Sequence, residues 1–248
     1  MKEKFIDNAD CGCYIGKQQA TFLTNFYLKL ILPIFILILA FTFSACGGGS
    51  GSDDDDYNGP VIINGVEWAD CNVDSYQTFA AKPDMYTQFY KWGNNTAWSA
   101  IDPTDLSGWA SSGYDSGSTW APNPCPSGWR LPTKVELEAL CNKGSTWADA
   151  NTRGNAVAGR FFGSKHKTAS LPDNMGGAIF LPASGSRNNS DGSLQNQGIY
   201  GLYFSSSSTY TSEVIEMMFD SSIAHVGSHM SYAKSFGLNI RPVRTVTP

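Results

Sequence analysis

The side chains of this 248-residue sequence best suited to covalent or metal chemistry are six cysteines and three histidines. His225 and His229 stand four apart, an interval that puts two imidazoles on one helix face and suits a metal. The Gly227-Ser228 between them breaks that pattern, so structural or exposed histidines are expected. His166, between Lys165 and Lys167, reads as a solvated loop residue. Glu213 and Glu216 could form the carboxylate pair of a glycoside hydrolase, but nothing nearby supports that role. No local signature joins a Ser or Cys nucleophile to a His and an orienting acid. Calcium is the one metal the composition admits, through the oxygen-rich run Arg187-Asn188-Asn189-Ser190-Asp191-Gly192-Ser193. The same composition is ordinary turn chemistry, so no catalytic residue, metal or other cofactor is expected, and the chain is read as a non-enzyme.

Cys46 carries the clearest chemistry. It follows an uncharged run of 16 residues, 30–45, that is preceded by Lys29, contains Pro33 and ends in the small residues Ser44-Ala45. That run is shorter than the ~20 residues a spanning helix needs and has the form of a secretory signal core. Phe43-Ser44-Ala45-Cys46 resembles the lipobox at which bacterial lipoproteins are cleaved and acylated on the thiol, with Phe43 standing where Leu is usual. Gly47-Gly48-Gly49-Ser50-Gly51-Ser52 then reads as a flexible tether. The acidic block 53–56 that follows resembles the surface-export signal of Bacteroidetes lipoproteins, which implies an outer-membrane lipoprotein exposed at the cell surface. The 28 residues ahead of Lys29 are long for a leader and suggest a misassigned start. On that view Cys11 and Cys13 lie outside the mature protein and form no metal site. The expected organisation is a signal segment at 1–45, a lipidated linker at 46–59 and one domain at 60–248.

Within that domain Cys71, Cys125 and Cys141 permit one bridge and leave one thiol over; of the three pairings, Cys71 with Cys125 is preferred. From Tyr57 onward 13 basic residues face 15 acidic ones, a net charge of −2. A near-neutral domain lacks the basic stripe on which nucleic-acid affinity rests, so nucleic acid is excluded as a partner. All seven tryptophans lie between Trp68 and Trp147. Most such rings belong in a core. Trp92, Trp98, Trp109 and Trp120, on a long aromatic-rich loop, are the candidates for an exposed platform that stacks on a sugar or peptide, with Asn94, Asn95 and Asp102 supplying hydrogen bonds.

The elements that would position these residues are short. Asn64-Gly65 between β-branched residues predicts a hairpin opening the domain. Residues 79–120 read as loop pinned by large rings. The clearest helix is 134–142, with Thr133 as N-cap, Glu136 three residues later and Val135, Leu137, Leu140 and Cys141 as its apolar positions. A second, short helix is expected near 146–150. Strands are expected at 159–163, 178–182, 198–204, 214–219 and 238–243, separated by turn-rich segments.

Five motifs occur in a fixed order: Val66-Glu67-Trp68-Ala69; Pro124-Cys125-Pro126-Ser127-Gly128-Trp129-Arg130-Leu131-Pro132-Thr133; Phe180-Leu181-Pro182-Ala183-Ser184-Gly185-Ser186-Arg187; Gly201-Leu202-Tyr203-Phe204-Ser205; and Gly237-Leu238-Asn239-Ile240-Arg241-Pro242-Val243-Arg244. Together they resemble the Fibrobacter succinogenes major paralogous domain family over roughly 61–245. Tyr203-Phe204-Ser205 replaces a more usual Tyr-Trp-Ser. The resemblance implies an α+β class: a compact C-type-lectin-like domain of short twisted antiparallel strands, one or two short helices and long structured loops. It also implies an exported protein. Three functions follow as expectations. The first is a surface lipoprotein whose domain binds glycan or protein, and the second a structural subunit of a cell-surface appendage. An uncharacterised enzyme ranks last.

Overall fold

A computed structural model describes residues 61–246 apart from 111, 116, 118, 172–174, 210–212 and 229–232. Cys46, the leader and the linker lie outside the described residues, as does His229. Among the described residues no helix is long and apolar enough to cross a membrane.

The α+β expectation is overturned. One α-helix, α1 (Lys134–Asn142), accompanies eleven short strands and a 3₁₀ turn at Ala233–Ser235 among the described residues, so the domain is dominated by β-structure in four small antiparallel sheets. The reason is periodicity. Outside α1 the apolar residues alternate, or run continuously in aromatic and β-branched stretches, and neither pattern gives a helix a single buried stripe.

The first sheet orders β1 (Val61–Ile63), β2 (Val66–Trp68) and β11 (Val243–Thr245). The expected hairpin is present: Ile63 pairs with Val66, and Asn64 and Gly65 make the turn at φ 52° and 75°. A tight two-residue hairpin of this kind needs positive φ at both central residues, which Asn and Gly tolerate. The second sheet orders β3 (Ser145–Ala148), β4 (Gly159–Gly163) and β5 (Ala178–Pro182). Here the short helix expected near 146–150 is corrected to strand β3. Thr146 and Trp147 are a β-branched and an aromatic residue, and they pair with Phe161 and Arg160 of β4. A two-stranded ribbon joins β6 (Ser186–Arg187) to β7 (Leu194–Gln195). The last sheet orders β10 (Ala224–Gly227), β9 (Val214–Phe219) and β8 (Gly201–Ser208).

Strand alternation divides the core. In β4, Phe162 enters a cluster with Trp68, Leu137, Leu140, Tyr203 and Phe219, while its neighbour Phe161 turns the other way toward Phe180 and Ala148. In β8, Tyr203 faces that first cluster, and Leu202 and Phe204 face a second one with Tyr90, Trp92, Trp120, Trp129 and Ile240. Strands apolar on both faces are therefore walls between clusters. Each large ring so buried stabilises the fold by roughly 2–3 kcal/mol.

Helix α1 starts as the sequence requires. Thr133 accepts a hydrogen bond from the Glu136 N–H, and the Glu136 carboxylate accepts from the Thr133 N–H at 2.7 Å, completing a reciprocal cap. The same carboxylate receives both terminal nitrogens of Arg130, at 2.7 and 2.8 Å. Trp129 is carried into the second cluster just before this helix, with its N–H on the Pro126 carbonyl.

Candidate functional site

The expected platform is not a surface. Trp92, Trp98 and Trp109 are at most 1% exposed and Trp120 is 8% exposed. Trp92 and Trp120 pack together and against Phe204, with centroids 5.2–5.7 Å apart, while Trp98 and Trp109 meet edge to face at 4.9 Å. The loop between β2 and α1 has little regular structure, and its buried rings anchor it, Trp92 and Trp120 against Phe204 of β8 and Trp98 against Trp109.

The polar residues assigned to the platform serve the loop as well. Asn94 donates to the Gly113 carbonyl and accepts from the Thr96 N–H. Asn95 Oδ1 accepts from the Trp120 indole. Exposed Asp102 accepts from both the N–H and hydroxyl of Thr104, and these bonds hold its carboxyl below the usual range.

The preferred disulfide is also absent. Cys125 is a free thiol sealed beside Trp120 and Trp129, and Cys141 is free as well. Chain order and loop composition, on which the Cys71–Cys125 pairing rested, carry no distance information. Burial pushes the Cys125 thiol well above its ordinary value and that of Cys141 up to about 12, so both are poor nucleophiles.

The remaining chemical candidates are absorbed into structure. His166 is half-buried rather than solvated, its Nδ1 2.7 Å from the Thr146 hydroxyl, and burial with Lys167, Arg153 and Arg160 lowers its pKa. Glu216 is buried within β9, while Glu213 precedes the strand, is half-buried and accepts from the Ser228 hydroxyl. In the proposed calcium loop, Asn188 Oδ1 accepts from Ser190 and Asp191 Oδ1 from Ser193, both as turn bonds. Among the described residues no three His, Cys, Asp or Glu side chains gather to hold a metal.

Buried cations, which sequence reasoning passed over, organise the loops. Arg187, at 0% exposure, donates to the carbonyls of Ser99, Asp102 and Gly192. Lys91 donates to those of Trp109 and Ser112, with its ammonium 4.1 Å from the Trp109 ring centre. Lys234 reaches the Gly117 carbonyl at 2.7 Å and lies over Trp92. Arg241 binds the carbonyls of Ala69, Asp70 and Phe180 and the Asn72 side chain. Desolvation lowers the pKa of each, Arg241 to about 10. Charges this deep are tolerated only when their donors are satisfied, and here backbone carbonyls satisfy them.

The result is a loop surface held at fixed points. Gly192 (φ +73°) lies against Trp109 and Leu106, where an added Cβ would come within 2.9 Å of the indole and 2.7 Å of Leu106. Gln197 donates to the Ala100 carbonyl at 2.7 Å. The most exposed large side chains of these loops are aliphatic, Ile101 at 79% and Ile199 at 55%; Met85 and Leu106 are partly exposed, as are the rings of Tyr76 and Tyr114. An isoleucine set in a polar turn, as in Ala100-Ile101-Asp102-Pro103 and Gln197-Gly198-Ile199, is the sequence signal that marks them.

Against known families, residues 160–243 match a model described as a domain of unknown function (DUF8237). The match spans β4 to the start of β11 and includes Arg187 and Arg241. No curated protein and no solved structure matches the chain.

Proposed function

We propose that the chain is a lipoprotein of the outer cell surface, acylated on Cys46, whose domain binds a polypeptide and catalyses no reaction. The choice of polypeptide over glycan rests on one observation: the candidate tryptophans are buried, and the most exposed large side chains of the loops are Ile101 and Ile199, with the rings of Tyr76 and Tyr114 only partly exposed. Sugar recognition favours flat exposed rings, whereas aliphatic side chains grouped on loops that are bonded to one another suit another protein's apolar groups. Binding residues belong on loops positioned by a rigid scaffold, and the buried cations supply that rigidity. The signal-like run, the Gly-Ser tether and the acidic block support the surface address, as does the resemblance to a family of exported proteins.

Two experiments test the proposal. Metabolic labelling with a palmitate analogue should mark the wild-type chain and not Cys46→Ser, and protease added to intact cells should remove the domain. The purified chain should be retained on immobilised polypeptides and not on a glycan array. Saturable glycan binding without polypeptide binding would overturn the reading.

A further inference from the structure

Resting on the polypeptide reading above, we infer that residues 84–86, 99–106 and 191–199 together form the docking face, and that its occupant is a cationic polypeptide segment that also carries apolar side chains. The three loops are joined by named contacts. A single guanidinium, that of Arg187, holds the carbonyls of Asp102 and Gly192 at 2.6 Å each. Gln197 binds the Ala100 carbonyl, and a Cβ on Gly198 would lie 3.5 Å from the Tyr86 hydroxyl. Ile101, Ile199, Met85 and Leu106 are therefore carried on one connected loop surface. Its apolar groups project from turns whose backbones are already bonded, so little ordering is required on binding.

The charge of this surface selects the occupant. Asp84, Asp102, Asp105 and Asp191 lie on the same loops, and Asp102 and Asp191 are exposed. Both of these carboxyls are held below the usual range by their turn bonds. Arg187, buried beneath them with its donors on carbonyls, offsets Asp102 and Asp105 in part but presents no cation at the surface. Lys82 is the exposed cation nearest these loops in the chain. An anionic membrane or polysaccharide would meet like charge, and a second copy placed symmetrically would set carboxylates against carboxylates. A segment bearing Lys or Arg among apolar residues meets neither obstacle. Exposed ion pairs add little affinity individually, so the aliphatic contacts hold the segment, while the carboxylates choose its sign and speed its arrival.

The test uses the full acylated chain in nonionic detergent, applied to immobilised nonapeptides alternating Lys with Leu, Glu with Leu, or Lys with Ser. Capture on the Lys/Leu peptide should exceed the other two by at least ~10-fold at low ionic strength and weaken as salt screens the charges. The double variant Ile101→Asp/Ile199→Asp should lose ~10-fold or more of that capture, as expected when apolar anchors are removed. Asp102→Asn/Asp191→Asn, which preserves the turn acceptors, should lose the preference for Lys/Leu over Glu/Leu. Val135→Asp serves as the control: Val135 is 69% exposed on α1, whose first N–H bonds Ser207 at the opposite end of β8 from Ile199. It should bind as wild type. Equal capture on Glu/Leu, or full capture by the isoleucine double variant, would overturn the assignment of face and partner while leaving the polypeptide reading in place. Failure of every peptide alongside glycan binding would remove both.

Discussion

The guanidinium of Arg187 reaches the carbonyl oxygen of Ser99 from two nitrogens, Nε at 3.0 Å and Nη2 at 2.6 Å, across 88 residues of chain. Its other bonds go to Asp102 and Gly192, so one side chain fixes the relative position of two loops. Arg187→Lys keeps the charge but cannot reproduce a planar fork. We expect it to cost ~2 kcal/mol or more in urea unfolding, the usual loss when a buried charged group's hydrogen bonds are left unmade. Hydrogen exchange should rise in residues 99–109 before it rises in β4 or β5.

Trp98→Ala and Trp109→Ala are expected to behave as core truncations. Each should destabilise the domain by roughly 3–5 kcal/mol. Because the rings touch, the double variant should cost less than the sum of the singles. Equilibrium denaturation of the three variants checks this, and unchanged stability with altered ligand capture would contradict the buried arrangement.

Glu136 gives the domain an acid-sensitive joint. Burial alone would raise its pKa, but the Arg130 bond and those from Thr133 outweigh it and hold the carboxyl below its ordinary value. A carboxyl depressed in the folded state contributes stability that is complete above the unfolded value and is lost as pH falls through the folded one. Glu136→Gln should therefore cost ~1–2 kcal/mol at neutral pH, the scale of a lost helix cap. The difference from wild type should shrink as the pH drops below the ordinary carboxylate range, as read from urea midpoints across pH.

Cys125 and Cys141 should resist a maleimide reagent at mildly alkaline pH in the native protein and react fully once guanidinium unfolds it, without added reductant. Mass spectrometry of the alkylated peptides checks both halves of that statement. A bridge found at Cys125 would refute the arrangement of the second core cluster.

Local structure was legible wherever neighbouring residues decide it. Thr133 and Glu136 announce α1, Asn64-Gly65 the first hairpin, and the aromatic runs of β4 and β5 their strands. Where the deciding partner is distant in sequence, the reading failed. Ser145–Ala148 becomes a strand because β4 lies beside it. The four tryptophans of the long loop could have faced either way; Phe204, Ile240 and Tyr90 hold Trp92 and Trp120 inward, while Trp98 and Trp109 pack on each other. The Cys71–Cys125 pairing failed for the same reason.

The least legible residues were Arg187, Lys91 and Lys234. A lone cation in a turn-rich stretch ordinarily points to solvent, and no local spacing foretells carbonyl acceptors 18 and 21 residues away for Lys91, 88 for Arg187 and 117 for Lys234. Carboxylate partners would have left a trace in charge pattern; backbone oxygens leave none.

That choice of acceptor has a further effect. Peptide carbonyls do not gain or lose protons over the range in which carboxylates discharge. The cradle around Arg187 and Lys91 therefore keeps its shape in acid while Asp102 and Asp191 become neutral. In acid the intact mould would keep its apolar grip but lose its discrimination between cationic and anionic chains, and regain it once the surroundings return to neutrality.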